Sequence, residues 1–195
     1  MERTLGSAHR RSVLVLLIAI STATQVLGAG QVPAARNPKL DPSLNPNYNA
    51  TINPKYNATI NPKYNATINP KYNATLNPKY SAPLNPKYNS AINPKFNTSI
   101  NPNYNGSADP TKDSWSGLCL FTVDAEPAGV LAAAGKGFMN LFTEAGKWVG
   151  YAASDGDGGY NVFDLEGEWL GYLRSNSAGG FNRFDTEGEW VGFST

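Results

Sequence analysis

The side chains best able to do chemistry in this sequence are carboxylates that recur at fixed spacing near the C-terminus. Two acidic triplets stand 21 residues apart, namely Asp164, Glu166, Glu168 and Asp185, Glu187, Glu189. Paired carboxylates could serve a glycosidase as acid and base. Their repetition as part of a longer internal repeat instead indicates solvated turns, so we expect no catalysis from them.

The other reactive side chains are too few to build a catalytic centre. His9 is the only histidine and stands in the N-terminal segment, and Cys119 is the only cysteine. Because a serine or cysteine nucleophile needs a positioned base, and zinc needs several such ligands, neither chemistry is supported. We therefore predict a protein that is not an enzyme and uses no cofactor. Cys119 is expected to be a small buried residue.

One glycine-rich segment, DGDGG at residues 155–159, could hold calcium. Asp155 and Asp157 offer hard oxygen ligands in a flexible loop. A full calcium loop has further carboxylates at fixed spacing, which this segment lacks. A glycine-rich connection between strands is the preferred interpretation, so no metal site is predicted and Asp155 and Asp157 remain the calcium alternative.

Four copies of a 21-residue unit make up residues 113–195 and must position these side chains. Phenylalanine, glycine and tryptophan each return at this spacing, and Pro127 takes the tryptophan position in the first copy. The repeating positions are Phe121, Phe142, Phe163, Phe184; Gly129, Gly150, Gly171, Gly192; and Trp148, Trp169, Trp190. Glycine turns between short apolar runs indicate a two-stranded hairpin in each copy.

The ends of this array predict a closed ring. The fourth copy stops about eight residues short, and the missing part resembles the segment around Leu118 that precedes the first copy. A strand from the beginning can complete the last copy and remove free sheet edges. We predict an all-β fold, a closed, shallow, four-fold symmetric β-barrel in which the segment near Leu118 pairs with the strand near Phe193. Regular alternation would put the Trp and Gly columns on one face and positions 149, 170 and 191, with the rings that follow the glycines, on the other.

A second repeat, of eight residues, occupies residues 37–112. Its best copies read NPKYNATI, at residues 53–60 and 61–68, with polar and apolar residues in alternation. The alternation predicts extended backbone, while proline excludes a continuous helix and Asn-Pro favours a turn at each repeat boundary. Two models follow, an extended stalk and a stack of short strands with a turn every eight residues. Both predict an octapeptide-repeat spacer.

Each octad also carries a ring next to Lys or Asn. Such a row could bind a glycan or an anionic envelope polymer, but packing of the repeats against one another is the preferred interpretation. The rings concerned are Tyr48, Tyr56, Tyr64, Tyr72, Tyr80 and Tyr88. In a eukaryotic secretory pathway, glycans could attach at the N-x-S/T sequons that begin at Asn49, Asn57, Asn65, Asn73, Asn97 and Asn105.

The N-terminal residues 1–30 have the composition of a secretory signal peptide. Three arginines precede the apolar run 13–20, which ends in a zone of small residues. The run is shorter than the roughly 18 apolar residues that span a bilayer, so we predict export without a transmembrane anchor. Residues 31–36 would form a short linker. The mature protein is expected to be secreted, periplasmic or at the cell surface.

Charge is segregated along the chain. Residues 37–112 contain eight Lys and Arg against two Asp and Glu, whereas residues 113–195 contain four against twelve. An acidic C-terminal domain would repel the phosphate backbone, so nucleic acid is excluded as its partner.

The unit FDLEGEWLGYL with its GGFN segment, in four copies behind an export signal and octads of the NPKYNATI kind, resembles the bacterial four-fold β-flower domain proteins. With the octads, the resemblance covers most of the chain. It implies a shallow symmetric barrel of petal-like hairpins, distantly similar to the Tubby-like lipid-binding fold, with no established activity. Pro127 and the alanine-rich residues 130–135 depart from the pattern, which puts the shape of the first petal in doubt.

The aromatic columns of the array suggest a binding or adhesion module. Rings with few polar groups suit a lipid, a glycan or another envelope polymer. The predicted contacts are Trp148, Trp169, Trp190, Tyr151, Tyr172 and Phe193. In the alternative, a structural or display protein, the same rings are core. A third possibility opens the ring into hairpins similar to choline-binding cell-wall repeats.

Overall fold

The computed structural model describes residues 32–111 and 116–195. Within these ranges the chain is all-β without an α-helix, and eight strands form a closed antiparallel barrel in chain order. The strands are β1 (Gly117–Phe121), β2 (Pro127–Gly135), β3 (Phe138–Phe142), β4 (Trp148–Ser154), β5 (Tyr160–Asp164), β6 (Trp169–Ser175), β7 (Phe181–Asp185) and β8 (Trp190–Ser194). The predicted all-β fold is confirmed, and the predicted signal peptide 1–30 lies outside the described residues.

Pairing of β8 with β1 closes the barrel. Phe121 lies opposite Phe193, and the backbone N–H groups of Cys119 and Thr195 each donate to the other's carbonyl oxygen, at 3.2 and 3.1 Å. The segment near Leu118 therefore pairs with the last strand, which confirms that the array closes on itself. Closure removes the free strand edges that an open array would expose.

The same one-residue register shift occurs in four strand pairs. Phe142 lies opposite Trp148 and Leu141 opposite Gly150, so Val149 is an extra residue between two paired positions. Equivalent shifts occur between β1 and β2, β5 and β6, and β7 and β8. The faces assigned by regular alternation are therefore wrong, because a β-bulge re-aims the side chains that follow it. Val149 packs against the barrel interior, whereas Tyr151 packs in an outer cluster.

The glycine after each bulge allows the next strand to approach closely. A Cβ on Gly171 would lie 2.2 Å from the carbonyl oxygen of Phe184, and one on Gly192 would lie 2.4 Å from that of Phe121, across the closure. Strand packing therefore requires glycine in this column, as expected where glycine stands beside bulky residues.

Apolar side chains fill the barrel. The buried interior cluster consists of Leu120, Leu131, Met139, Leu141, Ala152, Val162 and Leu173. The unusual first unit keeps its place in the ring, since β2 pairs with both of its neighbours. Its alanine-rich segment adds one more register shift, between Ala133 and Gly135.

Residues 32–111 form a succession of tight turns, here called the belt. In octad 53–60 the N–H of Tyr56 donates to the carbonyl oxygen of Asn53, and the N–H of Ile60 to that of Asn57. An octad therefore holds two turns, and both the extended stalk and the stack with one turn per octad are wrong. Seven turns within the described residues are short 3-10 helices, at Ala34–Arg36, Pro42–Leu44, Ala58–Ile60, Ala66–Ile68, Ala82–Leu84, Ser90–Ile92 and Gly106–Ala108.

Asparagine side chains stabilise these turns. Asn57 accepts hydrogen bonds from the backbone N–H and the hydroxyl of Thr59, while its amide donates at 2.6 Å to the carbonyl oxygen of Thr51 in the preceding octad. The octad with Pro83 provides an internal comparison. Proline has no N–H to cap, and Ser81, which replaces the asparagine, makes no cap. The alternation in the octad thus reflects side-chain-capped turns rather than strands.

The belt wraps around the outside of the barrel. Side-chain amides of three strands donate to belt carbonyl oxygens at 2.9–3.0 Å, in the pairs Asn182–Ile52, Asn161–Leu76 and Asn140–Ile100. Successive contacts are 24 residues apart on the belt and 21 apart on the barrel, in opposite chain directions, so three octads cover one barrel unit. The octads therefore do not extend from the barrel as a spacer; they cover its outer surface.

Candidate functional site

The rings that follow the glycines are buried. Tyr151, Tyr172 and Phe193 are at most 2 % exposed, and each stacks on a phenylalanine of a neighbouring strand, with ring centroids 5.4–5.5 Å apart. Burial raises the pKa of the Tyr151 and Tyr172 hydroxyls well above the usual value. These three residues cannot contact a surface ligand, which corrects that part of the predicted site. The physical reason is the belt, which occupies the face that an isolated barrel would expose.

The three tryptophans are half-buried at the starts of β4, β6 and β8. The Lys79 ammonium lies 5.7 Å from the ring centre of Trp169, and that of Lys55 lies 5.7 Å from the ring centre of Trp190. Both contacts have cation–π geometry. The faces of these two rings thus already meet the belt, while the Trp148 indole N–H donates to a backbone carbonyl oxygen of its own strand.

Belt lysines also pair with the acidic turns of the barrel. The pairs are Lys39–Glu126, Lys63–Glu189, Lys71–Glu187 and Lys87–Glu168. Hydrogen bonds to the glutamates raise the pKa of Lys63 and of Lys87. Since these side chains remain about half exposed, each pair contributes little to stability, but together they fix where belt and barrel meet. The acidic triplets of the sequence therefore contact the belt.

A cleft of about 330 Å³ lies between belt and barrel at one of these contacts. Lys79, Lys87, Glu168 and Trp169 line it together with Asn85. Lys79 stands over Trp169 and Lys87 binds Glu168, so the charged groups of the cleft are already engaged with one another. The cleft offers a recess rather than free charge.

The outer surface of the belt carries a row of exposed rings. One ring stands at the fourth position of each of eight octads, and its exposed fraction is 68–78 %. These rings are Tyr48, Tyr56, Tyr64, Tyr72, Tyr80, Tyr88, Phe96 and Tyr104. The preferred prediction that the rings pack the octads together is wrong, because asparagine side chains connect successive octads instead. Asn61, for example, donates to the carbonyl oxygen of Pro54 at 2.7 Å.

Asp155 is a buried anchor for its loop. One carboxylate oxygen accepts the backbone N–H groups of Asp157 and Gly159, and the other pairs with the buried guanidinium of Arg174. Arg174 also donates at 2.7 Å to the belt carbonyl oxygen of Ile68. Both oxygens of Asp155 are thus committed within the protein, which removes the Asp155–Asp157 pair as a calcium site.

Cys119 is buried at the position in β1 where the later units have asparagine. Burial raises the pKa of its thiol, and the nearby Arg36 opposes that effect. The expected small buried residue is confirmed.

The asparagine column of Asn140, Asn161 and Asn182 was missed as a functional feature of the sequence. Its signal is a polar residue that recurs every 21 positions among apolar strand residues. Because alternating polar residues usually face solvent, the pattern alone does not indicate that a second layer covers them.

Comparison of the chain with protein-family models, with curated proteins and with solved structures gave no match. Among the residues described, no helix combines the length and the apolar character needed to cross a bilayer.

Proposed function

We propose that this chain is an exported, non-catalytic binding module whose belt presents a row of aromatic rings to a linear polysaccharide of the cell envelope. The observation that carries the proposal is the row itself, in which eight rings at eight-residue intervals stay 68–78 % exposed. A large exposed aromatic surface on a folded protein marks an interaction site more often than a structural one. A ligand with a regular repeat can use such contacts at many positions at once.

The ring, rather than its hydroxyl, is the common feature of the row. Phe96 keeps the ring at this octad position and lacks the hydroxyl. Aromatic faces suit the C–H faces of sugars, and the Asn and Thr side chains between the rings suit sugar hydroxyls. Four belt lysines are paired with barrel glutamates, which leaves stacking rather than charge as the main attraction.

The proposal also includes the finer architecture. We infer four equivalent 21-residue units around the ring, each covered by three octads where the belt reaches it. The recurring bulge and the close approach at each glycine of the column support this equivalence. The belt and barrel would then be one body, with the rings of the belt as the binding surface.

A structural or display role is the second candidate. Burial of Tyr151, Tyr172 and Phe193 favours it, because the aromatic column of the barrel is then core. In that case the exposed rings of the belt would have no ligand.

The test replaces four adjacent rings in the full chain. In the variant Y64S/Y72S/Y80S/Y88S we expect binding to hydroxyethylcellulose, a neutral linear polysaccharide, to weaken about 30-fold or more, at roughly 0.5 kcal/mol or more per lost ring contact. The thermal midpoint should change little, since these rings are exposed. Binding is measured by affinity electrophoresis or calorimetry.

The matched control is Y64F/Y72F/Y80F/Y88F, which keeps the rings and should bind as the parent does. Alginate and phosphatidylglycerol vesicles serve as acidic and membrane alternatives. Equal binding by the serine variant and the parent, or binding to the vesicles alone, would refute the polysaccharide proposal.

A further inference from the structure

Arg183 places a guanidinium on the inner side of the barrel wall. It lies directly opposite Leu173, which belongs to the buried interior cluster, so both side chains are on the same face of the sheet. The equivalent positions 21 residues apart in the other units are occupied by Leu120, Leu141 and Val162. One unit of four therefore has a cation where the others have an aliphatic side chain.

This guanidinium has no hydrogen-bond or ion-pair partner within residues 32–111 and 116–195. The acids nearest in sequence are used elsewhere, since Glu187 and Glu189 pair with belt lysines. Asp185 accepts the backbone N–H groups of its own turn. Desolvation lowers the pKa of Arg183, and no neighbouring charge opposes that effect. A partly buried cation without a counter-charge is costly, so an anion bound there would stabilise the fold.

Two exposed aliphatic side chains flank the strand that carries Arg183. Leu170 and Val191 are the bulge residues of β6 and β8, on either side of β7, and they are 43 % and 42 % exposed. The equivalent Val149 packs against the interior cluster, which places this column at the end of the barrel lumen. The end of the barrel near Arg183 thus combines one cation with an apolar rim.

We propose that Arg183 binds the carboxylate of an aliphatic monocarboxylate whose chain lies on Leu170 and Val191. The guanidinium fork matches a carboxylate in two parallel hydrogen bonds. A single cation balances a single negative charge, whereas phosphate sites usually gather several donors. This site is separate from the exposed rings of the belt and goes beyond the polysaccharide proposal.

The test compares sodium octanoate with sodium acetate at equal ionic strength, using the full chain. Octanoate should raise the thermal midpoint of the parent more than acetate does, because its chain buries apolar surface on the rim. In Arg183→Leu the octanoate affinity should fall about tenfold or more. Leucine stands at two equivalent positions, so this variant is expected to fold.

Two further measurements keep the outcome decisive. The double variant L170S/V191S should retain acetate binding but lose the preference for octanoate, which separates the rim from the cation. In the parent, the Nε resonance of Arg183 should shift saturably with octanoate. An unshifted resonance, or the same octanoate effect in Arg183→Leu as in the parent, would overturn the proposal.

Discussion

Replacing Gly171 by alanine is expected to destabilise the barrel by about 2–5 kcal/mol, the sum of backbone strain and a steric clash. The added Cβ would lie 2.2 Å from the carbonyl oxygen of Phe184, and Gly171 has a φ of +150°. Since the obstacle is backbone of the next strand, no rotamer change can relieve it. Chemical denaturation followed by tryptophan fluorescence measures the loss.

Gly106→Ala is the matched control. A Cβ at this position would have no atom within 4 Å, and alanine occupies the same place in octads such as 53–60 and 61–68. This change should be neutral or stabilise by up to about 1 kcal/mol, because glycine loses more backbone entropy on folding. Equal stability of Gly171→Ala and Gly106→Ala would contradict the close strand approach.

The second large effect is expected for Asn161→Asp, which tests the contact between barrel and belt. The Asn161 amide donates to the carbonyl oxygen of Leu76 from a side chain that is buried. An ionised aspartate would place a buried negative charge against that oxygen, at a cost of about 3–5 kcal/mol near neutral pH. Denaturation of parent and variant in parallel at several pH values measures this difference.

The pH dependence of Asn161→Asp has a definite sign. Burial and the facing carbonyl oxygen should raise the pKa of the new carboxyl in the folded state above its unfolded value of about 3.9. The stability of the variant is therefore highest below that unfolded pKa, where the protonated acid can donate to Leu76, and falls as pH rises towards and through the folded pKa.

Asn103→Asp controls for the change of residue type, because Asn103 is exposed on the belt. Its effect should stay within about 0.5 kcal/mol at all pH values. If Asn161→Asp were equally mild at neutral pH, Asn161 would not be buried under the belt.

The barrel could be predicted from the sequence because its repeat is long and its ends are informative. The 21-residue spacing of Phe121, Gly129 and their later copies indicated hairpins, and the incomplete last copy indicated closure onto the segment near Leu118. The faces could not be predicted. One extra residue such as Val149 reverses the side-chain alternation, and nothing in its type distinguishes a bulge from a regular strand position.

The belt could not be predicted for a different reason. Its alternation of polar and apolar residues has the period of a strand, but Asn57 and its equivalents bond to backbone and hydroxyl groups two residues later. Those local bonds favour turns over extended backbone. The complementary charge of octads and barrel was visible in the sequence, yet it indicates attraction without specifying that the belt wraps around the barrel.

The same covering explains why half of the predicted aromatic site is core. Tyr172 and Phe193 have the residue types of a binding surface, and their burial depends on a layer from a distant part of the chain. The exposed rings lie instead on the octads, where packing between repeats was the simpler interpretation of the pattern.

Small-angle X-ray scattering of residues 31–195 tests most directly whether the octads wrap around the barrel. A single compact body of about 160 residues should give a radius of gyration of about 15 Å. Octads that project as an extended stalk would instead give a maximum dimension on the order of 200 Å, at about 3.1 Å per residue, and that result would contradict the wrapped belt.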